Sequence, residues 1–515
     1  MYLKKEMSKN MQMAVNMFAS ALTYAVSLLV SFFLSPYIVK NIGVDANGFI
    51  GLANNFISYA SLITVALNTL ASRFITINIY QGNYKNANKY FSSVFFSNVF
   101  LSAILAIIGS VVVAFLNRFI DVSNELLPDV RLLFALLFIN CIIGTISSVY
   151  SVATFARNKL YLNSMRTIEA NVLRVLCIVS LFSLLDPHLY YIGISSILQS
   201  LYCFAINIFY TKRLLPEIKL SIKNFSFKMV KDLLSGGIWN LVNRLGQLLL
   251  DGLDLLITNI FINATSMGIL SLSKTIPSTV NGIIGTIVSI FSPNFTILYA
   301  QGKMKELLHN IKQSMKIMGV LTNIPVIILI ICGHEFYSLW QPTVDSEILY
   351  KLSLLGCMCI IISGGINCIY DIFTVLNKLR ANSIVVIISG LASTLIVYIM
   401  LKTTDLGVYA VAGVSSAVSI IRNLVFTAPY GAKCLNQKWY TFYPDIVRPV
   451  IYVILTCLVC RFTVSYFVAD TWFLLVIKGC FTVAISVIIG YFIVLGKNDR
   501  NLIKNVVKSK LIKKR

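Results

Sequence analysis

The chain has 515 residues, of which 57% are hydrophobic and only 12% are charged. A soluble domain carries about 25% charged residues, so this composition excludes an ordinary soluble enzyme, and its apolar content excludes a disordered chain. The 43 Lys and Arg residues exceed the 20 Asp and Glu residues by 23. In so apolar a chain, this excess indicates the cationic cytoplasmic loops of a membrane protein rather than a nucleic-acid-binding surface.

Apolar stretches long enough to cross a bilayer, which takes about 20 residues per helix, follow one another along the whole sequence. The first follows Lys4 and Lys5 and is too long for the apolar core of a signal peptide, so we interpret it as an uncleaved helix. The sequence therefore predicts an all-α polytopic membrane protein with about fourteen transmembrane helices. The predicted spans are 11–36, 48–79, 91–117, 130–155, 167–185, 189–210, 234–261, 267–299, 312–332, 349–376, 383–401, 406–428, 448–468 and 472–495.

The distribution of Lys and Arg predicts the orientation of these spans. The N-terminal stub, the segments that follow the even-numbered spans and the C-terminal tail together hold 31 of the 43 basic residues, and the opposite segments hold 5. Because cytoplasmic loops collect Lys and Arg, we expect both termini in the cytoplasm. The 11 cysteines lie mostly inside apolar runs, and they form no metal-ligand pattern with the 3 histidines.

A shift of 220 residues superposes the two halves of the chain without gaps. Gly48 meets Gly268, and the pair Gln81-Gly82 meets the pair Gln301-Gly302. The repeat predicts two six-helix lobes, 1–215 and 216–432, related by a pseudo-twofold axis along the membrane normal. The remaining segment, 433–515, contains spans 13 and 14 and the basic tail.

Four spans carry a polar stripe at the 100° period of a helix. A polar side chain facing lipid is costly, so spans 1, 2, 7 and 8 predict one shared aqueous cavity. The stripes consist of Ser20, Thr23, Tyr24, Ser27 and Ser31 in span 1; Asn54, Ser58, Ser61, Thr69, Ser72 and Thr76 in span 2; Asn240, Asn243, Arg244, Gln247, Asp251, Asp254 and Thr258 in span 7; and Lys274, Ser278, Asn281, Ser289, Ser292 and Thr296 in span 8.

The charged members of the stripes lie in spans 7 and 8 and have two interpretations. Arg244, Asp251, Asp254 and Lys274 form either buried ion pairs that hold the two spans together or a substrate or ion site, and both roles can coexist. Arg73, near the cytoplasmic end of span 2, either binds a phosphate or snorkels to the interface.

Charged residues in other spans predict structural roles. Asp371 and Arg422 lie at similar depth and are interpreted as a structural pair, whereas Arg461 and Lys478 near the outer ends of spans 13 and 14 are expected to snorkel. The sequence contains neither a phosphate-binding G-x-x-x-x-G-K-[ST] loop nor an H-E-x-x-H motif. The acidic residues of the short outer loops are interpreted as solvated, so we expect no enzyme and no catalytic residue.

The sequence resembles a known family of membrane transporters. The resemblance rests on the basic N-terminal stub before a polar span 1, the turn NIGVDANGFIG at 41–51, the Gln81-Gly82 turn, and the acids Asp251 and Asp254. These features resemble the Wzx-type oligosaccharide flippases of the MOP superfamily, which also contains the MATE drug exporters and the lipid II flippase MurJ. Spans 13 and 14 resemble the two extra helices of the lipid II flippase, but span 1 lacks the arginines found there.

The resemblance implies two six-helix lobes that work by alternating access on an undecaprenyl-pyrophosphate-linked oligosaccharide, moved from the inner to the outer leaflet of the bacterial plasma membrane. Its alternatives are a MATE-like exporter of cationic drugs and a lipid II flippase. We expect Asp251 or Asp254 to take a proton or Na⁺, no other cofactor, membrane lipids and the polysaccharide polymerase machinery as partners, and no nucleic acid. The predicted substrate-binding residues are Tyr24, Asn54, Arg73, Asn240, Arg244, Gln247, Lys274 and Asn281.

Overall fold

The computed structural model of the chain describes residues 9–376, 378–464, 466–496 and 500. Long helical stretches follow one another in the predicted order, and the predicted all-α class is confirmed. The basic stub at Lys4 and Lys5 and the tail from 501 lie outside the described residues. The stretches are α1 (Lys9–Ile42), α2 (Val44–Tyr80), α3 (Tyr84–Ala114), α4 (Leu127–Ala156), α5 (Leu160–Leu184), α6 (Tyr191–Leu214), α7a (Phe227–Gln247) and α7b (Asp254–Phe261), α8a (Ala264–Ser273) and α8b (Thr275–Ala300), α9 (Met304–Trp340), α10 (Ser346–Val375), α11 (Leu379–Thr403), α12 (Val408–Cys434), α13 (Tyr443–Thr463) and α14 (Trp472–Ile493).

Eleven helices in the described part of the chain are long and apolar enough to span a membrane. Three other helical stretches, α2, α7 and α8, carry three of the four predicted polar stripes, and each is long enough to cross a bilayer. The sequence estimate of about fourteen spans therefore agrees with the structure once these polar helices are included.

The internal repeat appears in the geometry of two equivalent turns. Gly82 ends α2 with φ of 72°, and Gly302 ends α8b with φ of 70°. In both turns the preceding glutamine donates its backbone N–H to an isoleucine carbonyl at 3.0 Å, Gln81 to Ile77 and Gln301 to Ile297. Glycine fits this left-handed position at no steric cost, whereas a residue with a Cβ is strained there.

The chain packs into two compact units, and the division does not follow the loop between the repeats. Unit 1 comprises Met1–Leu248 and Leu255–Gly268, and unit 2 comprises Leu249–Asp254 and Ile269–Arg515. The predicted lobes, 1–215 and 216–432, are drawn from the repeat in the sequence, whereas these units are groups of residues that pack against one another. The two divisions differ most over α7, because α7a packs on α2.

The connection from α6 to α7a is hydrogen-bonded to the N-terminal part of α3. Ser93 Oγ accepts a hydrogen bond from the backbone N–H of Ser226 at 2.9 Å, and Asn88 Oδ1 accepts one from the N–H of Lys219 at 2.7 Å. Arg157 pairs with Glu217 in the same connection at 3.2 Å. These bonds hold the start of α7a close to α3, since the two hydrogen bonds satisfy backbone N–H groups that the loop would otherwise leave unpaired.

Within unit 1, two glycines at equivalent positions of the repeat allow helices to touch. A Cβ added to Gly48 would lie 2.8 Å from the Cα of Gly268, and one added to Gly268 would lie 2.5 Å from the carbonyl oxygen of Val44. Real Cβ atoms do not approach backbone this closely. The contact between α2 and α8a therefore requires glycine on both sides.

Unit 2 is built around α10, which packs against α8b, α9, α12 and α13. Adjacent glycines allow the closest approach, because a Cβ at Gly364 would overlap the hydroxyl of Thr322 and one at Gly365 would lie 3.0 Å from the carbonyl oxygen of Met315. The extra helix α14 packs on α9 and α13. Small residues thus set the helix spacing in this unit.

The environment of Lys478 differs from the sequence prediction. Lys478 lies on α14 with its side chain 2% exposed, and its ammonium is paired with the carboxylate of Glu335 on α9. The prediction that Lys478 snorkels is wrong, because α14 packs face to face with α9 and brings an acid within reach. A buried ammonium needs such a partner, so the pair fixes α14 to α9.

Candidate functional site

The site in unit 2 begins where α7 is interrupted by a π-helical turn at Leu248–Gly252. The turn contains Gly252, a residue type with low helix propensity. It also leaves backbone groups outside the regular hydrogen-bond pattern of an α-helix. Thr394 on α11 donates its hydroxyl to the carbonyl of Leu249 at 3.2 Å. Wide turns of this kind occur frequently at functional sites, and discontinuous helices form the binding sites of many transporters.

A second interruption, between α8a and α8b, positions Lys274. Proline at 277 has no N–H to donate to the carbonyl of Ser273, four residues earlier. That carbonyl instead accepts the hydroxyl of Ser353 on α10 at 2.8 Å. Tyr337 adds a 2.5 Å contact to the Ser353 hydroxyl. The break is therefore satisfied by side chains of unit 2, which keep the start of α8b in a fixed position.

The two interruptions bring Lys274 and Asp254 together. Lys274 Nζ lies 2.5 Å from Asp254 Oδ2 and 3.0 Å from the backbone carbonyl oxygen of Asp251. Ser415 on α12 donates its hydroxyl to the same Asp254 oxygen at 3.2 Å. The Asp254 side chain is 6% exposed and that of Lys274 is 29% exposed. The Asp254 carboxylate is thus buried and accepts hydrogen bonds from both Lys274 and Ser415, while the Lys274 ammonium keeps access to solvent.

The carboxylate of Asp251 has a different environment from that of Asp254. Asp251 is exposed, and within the described part of the chain its carboxylate accepts no hydrogen bond. Arg422 on α12 lies within electrostatic reach of Asp251. Arg422 is buried and donates from Nη2 to the hydroxyl of Tyr370 at 3.0 Å. Its predicted pairing with Asp371 stays a prediction.

The polar face of α8b is exposed rather than packed. Ser278, Asn281 and Thr296 are exposed, whereas Val280 and Ile284 on the other side of the helix are buried. A polar face left open on a helix at membrane depth needs contact with water. This face of unit 2 therefore fits the wall of an aqueous space. The side chains of Ser289 and Ser292, and that of Thr69 on α2, lie outside the described set.

The other predicted site residues belong to unit 1. Arg73 and Asn54 on α2 and Arg244 on α7a are exposed, and Arg244 forms no ion pair among the described residues. The half-buried members are Tyr24 on α1 and Asn240 and Gln247 on α7a. Of all the predicted site residues, the structure brings Lys274 together with Asp254 and with the backbone of Asp251. A site shared with the unit 1 residues stays a prediction.

The continuous stripe predicted for span 7 is interrupted after Asp251. Asp254 is buried, and Thr258 on α7b is fully buried. The π-turn changes the helical register, so the residues beyond it no longer lie on the exposed face of α7a. Asn259, which lies outside the predicted stripe, is also buried and exchanges two hydrogen bonds with the backbone of Asp121, at 2.7 and 3.0 Å.

Sequence reasoning missed two residues that complete this site. Ser415 bonds to Asp254, and Thr394 bonds to the π-turn. Both sit on helices whose hydropathy predicts plain spans. A signal for Ser415 did exist, because Ser195 and Ser196 meet Ser415 and Ser416 in the repeat, but a small hydroxyl on an apolar helix has many structural uses.

Comparison with known proteins gives a family and a relative of similar length. A family model described as polysaccharide biosynthesis protein matches residues 48–337. The chain is 26% identical over 493 residues to the uncharacterized membrane protein EpsK of Bacillus subtilis (strain 168), covering 96% of this chain and 97% of that protein. The two sequences therefore align over nearly their full lengths.

Solved structures share the fold at low sequence identity. The lipid II flippase MurJ in an inward closed conformation aligns with a TM-score of 0.66 and 14% identity, covering 93% of this chain and 99% of that one. An inward-facing multidrug resistance MATE family transporter of the MOP superfamily aligns with a TM-score of 0.63 and 13% identity, covering 80% and 94%. The chain thus has the fold of MOP superfamily transporters.

Proposed function

Because the chain belongs to the polysaccharide biosynthesis protein family and has the fold of a MOP superfamily transporter, we propose that it is a flippase for lipid-linked glycan. Its proposed cargo is an oligosaccharide repeat unit on undecaprenyl pyrophosphate, moved by alternating access from the inner to the outer leaflet of the bacterial plasma membrane. In this role it supplies a polysaccharide polymerase on the outer side.

The observation that carries this proposal is the partly exposed ammonium of Lys274 beside an exposed polar face on α8b. A pyrophosphate cannot cross hydrocarbon unaided because its charge would lose water. Lys274 supplies a charged donor. Arg244 and Arg73 of unit 1 are exposed cations, and their contribution to binding the same cargo stays a prediction. Hydroxyl and amide groups on α8b provide the hydrogen bonds that sugar hydroxyls need.

The cellular test is deletion of the gene followed by analysis of the lipid-linked glycan on each leaflet. The proposal expects repeat units to accumulate on the inner leaflet and surface polysaccharide to be lost. Arg244→Ala combined with Lys274→Ala should reproduce the deletion, whereas Lys351→Ala, an exposed lysine at the predicted outer side, should not. Normal surface polysaccharide in the double variant would refute the assignment of the site.

Transport also needs a driving force, for which we propose Asp251. Its carboxylate is exposed and accepts no hydrogen bond among the described residues, so it is open to a proton or Na⁺. Asp251→Asn should abolish any acceleration of flipping by an imposed proton or Na⁺ gradient while leaving the protein folded. Full acceleration in that variant would exclude Asp251 as the coupling residue.

A second candidate function is a MATE-like exporter of cationic drugs. The exposed carboxylate of Asp251 favours this function, because a cationic drug would bind a carboxylate and be repelled by the ammonium of a lysine. This function predicts that deletion makes cells sensitive to cationic drugs and leaves surface polysaccharide intact. The flippase proposal predicts the reverse, so the same deletion strain separates the two.

A further inference from the structure

An aromatic groove lies at the end of α12, away from the candidate transport site. The groove has a volume of about 410 Å³ and is lined by Val425, Phe426, Tyr430, Lys433 and Trp439, among others. Val425 is 72% exposed and Trp439 is 64% exposed. The groove therefore opens to the surface and places apolar side chains there with one ammonium at its end.

The walls of the groove are fixed by ring contacts. Phe426 and Tyr430 stack with centroids 5.0 Å apart, and Trp439 meets the edge of Tyr443 at 5.6 Å. The hydroxyl of Tyr443 in turn donates to the backbone carbonyl of Leu424 at 2.6 Å. These contacts join α12 to the start of α13, so the groove is a preformed feature of unit 2.

Charge and polarity change along the groove. Val425 and Lys433 are eight residues apart on α12, which corresponds to about 12 Å along a helix. The exposed apolar end is at Val425, and the charged end is at Lys433. Lys433 is the charged residue among those that line the groove. A second lysine, Lys378, lies near the buried Cys434 thiol, as Lys433 does.

The location matches one leaflet of the membrane. Lys378, Lys433 and Lys438 all belong to the Lys- and Arg-rich segments that predict the cytoplasmic side. Trp and Tyr side chains concentrate at the membrane interface, where the ring meets acyl chain and the polar atom meets the head group. Clustered lysines at that depth attract the anionic lipids of the cytoplasmic leaflet.

We propose that this groove is a binding site for an anionic phospholipid of the cytoplasmic leaflet. The lipid phosphate pairs with Lys433, and an acyl chain lies over Val425 and Phe426 beside the Trp439 ring. The charge on Lys433 selects an anionic head group over a zwitterionic one. The site does not depend on the proposed flippase function, because none of its residues belongs to the transport site.

The indole of Trp439 reports directly on the occupant. The full chain and a Trp439→Phe variant are placed in phosphatidylcholine bilayers that contain a small, equal mole fraction of lipid brominated on its acyl chain. The difference in fluorescence between the two proteins isolates the quenching of Trp439. We expect brominated phosphatidylglycerol to quench this signal more strongly than brominated phosphatidylcholine does.

Two lysine variants show whether the preference comes from the groove. Lys433→Gln should lower the preference for phosphatidylglycerol about fivefold, the factor that one lysine contributes near an anionic head group. Lys402 is an exposed lysine in the last turn of α11 and does not line the groove. Lys402→Gln should therefore leave the preference for phosphatidylglycerol unchanged. Equal quenching by the two lipids in the parent chain would overturn the proposal. Release of the quenching by equimolar polyprenyl phosphate would also overturn it, by assigning the groove to the lipid carrier.

Discussion

The ion pair between Lys274 and Asp254 allows a quantitative prediction for stability. Removing one partner from a buried pair costs roughly 3–5 kcal/mol, because the other charge stays buried without compensation. The Asp254 side chain is 6% exposed and that of Lys274 is 29% exposed. Lys274→Met strands the more buried charge and should cost about 3 kcal/mol, whereas in Asp254→Asn the lysine can reach water, so this variant should cost about half as much.

The double variant tests whether these costs come from the pair itself. Lys274→Met combined with Asp254→Asn leaves no buried charge, so its free energy of unfolding should lie close to that of Asp254→Asn alone. The assay is equilibrium unfolding of the purified protein in lipid micelles, with all four members of the cycle measured together. The reasoning would be refuted if the double variant lost as much free energy of unfolding as the two single variants together.

The same double variant separates a structural role of the pair from a role in transport. If Lys274 only fixes α8 to α7, the stable double variant should flip its cargo at close to the normal rate. If Lys274 binds an anionic head group, flipping should fall about 100-fold, as the loss of one charged contact of roughly 3 kcal/mol implies. Lys274→Arg keeps the charge and is the matched control, expected to retain most of the activity.

The remaining predictions concern unit packing and are read by thermal unfolding of the purified protein. Gly302→Ala should lower the free energy of unfolding by about 1 kcal/mol because φ is 70° there, and Gly268→Ala should lower it by about 1–3 kcal/mol because its Cβ would meet a backbone oxygen at 2.5 Å. Gly285→Ala is the control and should be tolerated, because the space around its Cβ is open. Equal effects of all three substitutions would contradict the packing argument. Glu335→Gln should cost roughly 3 kcal/mol by leaving Lys478 buried and unpaired, whereas a change below about 0.5 kcal/mol would show that this ammonium reaches water.

Hydropathy and the internal repeat predicted most of the fold. Helix class, order and approximate bounds follow from apolar length, because a bilayer leaves few alternatives to a helix of about 20 residues. The 220-residue repeat anticipated that Gly82 and Gly302 occupy equivalent turns, and both adopt a left-handed φ. These features are set by local chemistry, which the sequence displays directly.

The candidate site was predicted only in part, because its geometry depends on irregular backbone. A stripe drawn at 100° per residue assumes an unbroken helix, but the π-turn at Leu248–Gly252 separates exposed Asp251 from buried Asp254. The sequence placed Arg244, Asp251, Asp254 and Lys274 in one charged set, as ion pairs or as a substrate or ion site. It did not distinguish the carboxylate that pairs with the ammonium from the one that stays open, because that choice depends on Ser415 and the packing of α12.

The central claim is that the protein moves lipid-linked oligosaccharide across a bilayer, and reconstitution tests it most directly. Purified protein is placed in liposomes with extracted undecaprenyl-pyrophosphate-linked repeat units, and an external glycosidase that cannot enter measures the fraction exposed outside over time. The account predicts that the full chain exposes the inner pool and that the stable Lys274→Met, Asp254→Asn variant does so about 100-fold more slowly. Exposure no faster than in protein-free liposomes, with the protein shown to be folded, would contradict it.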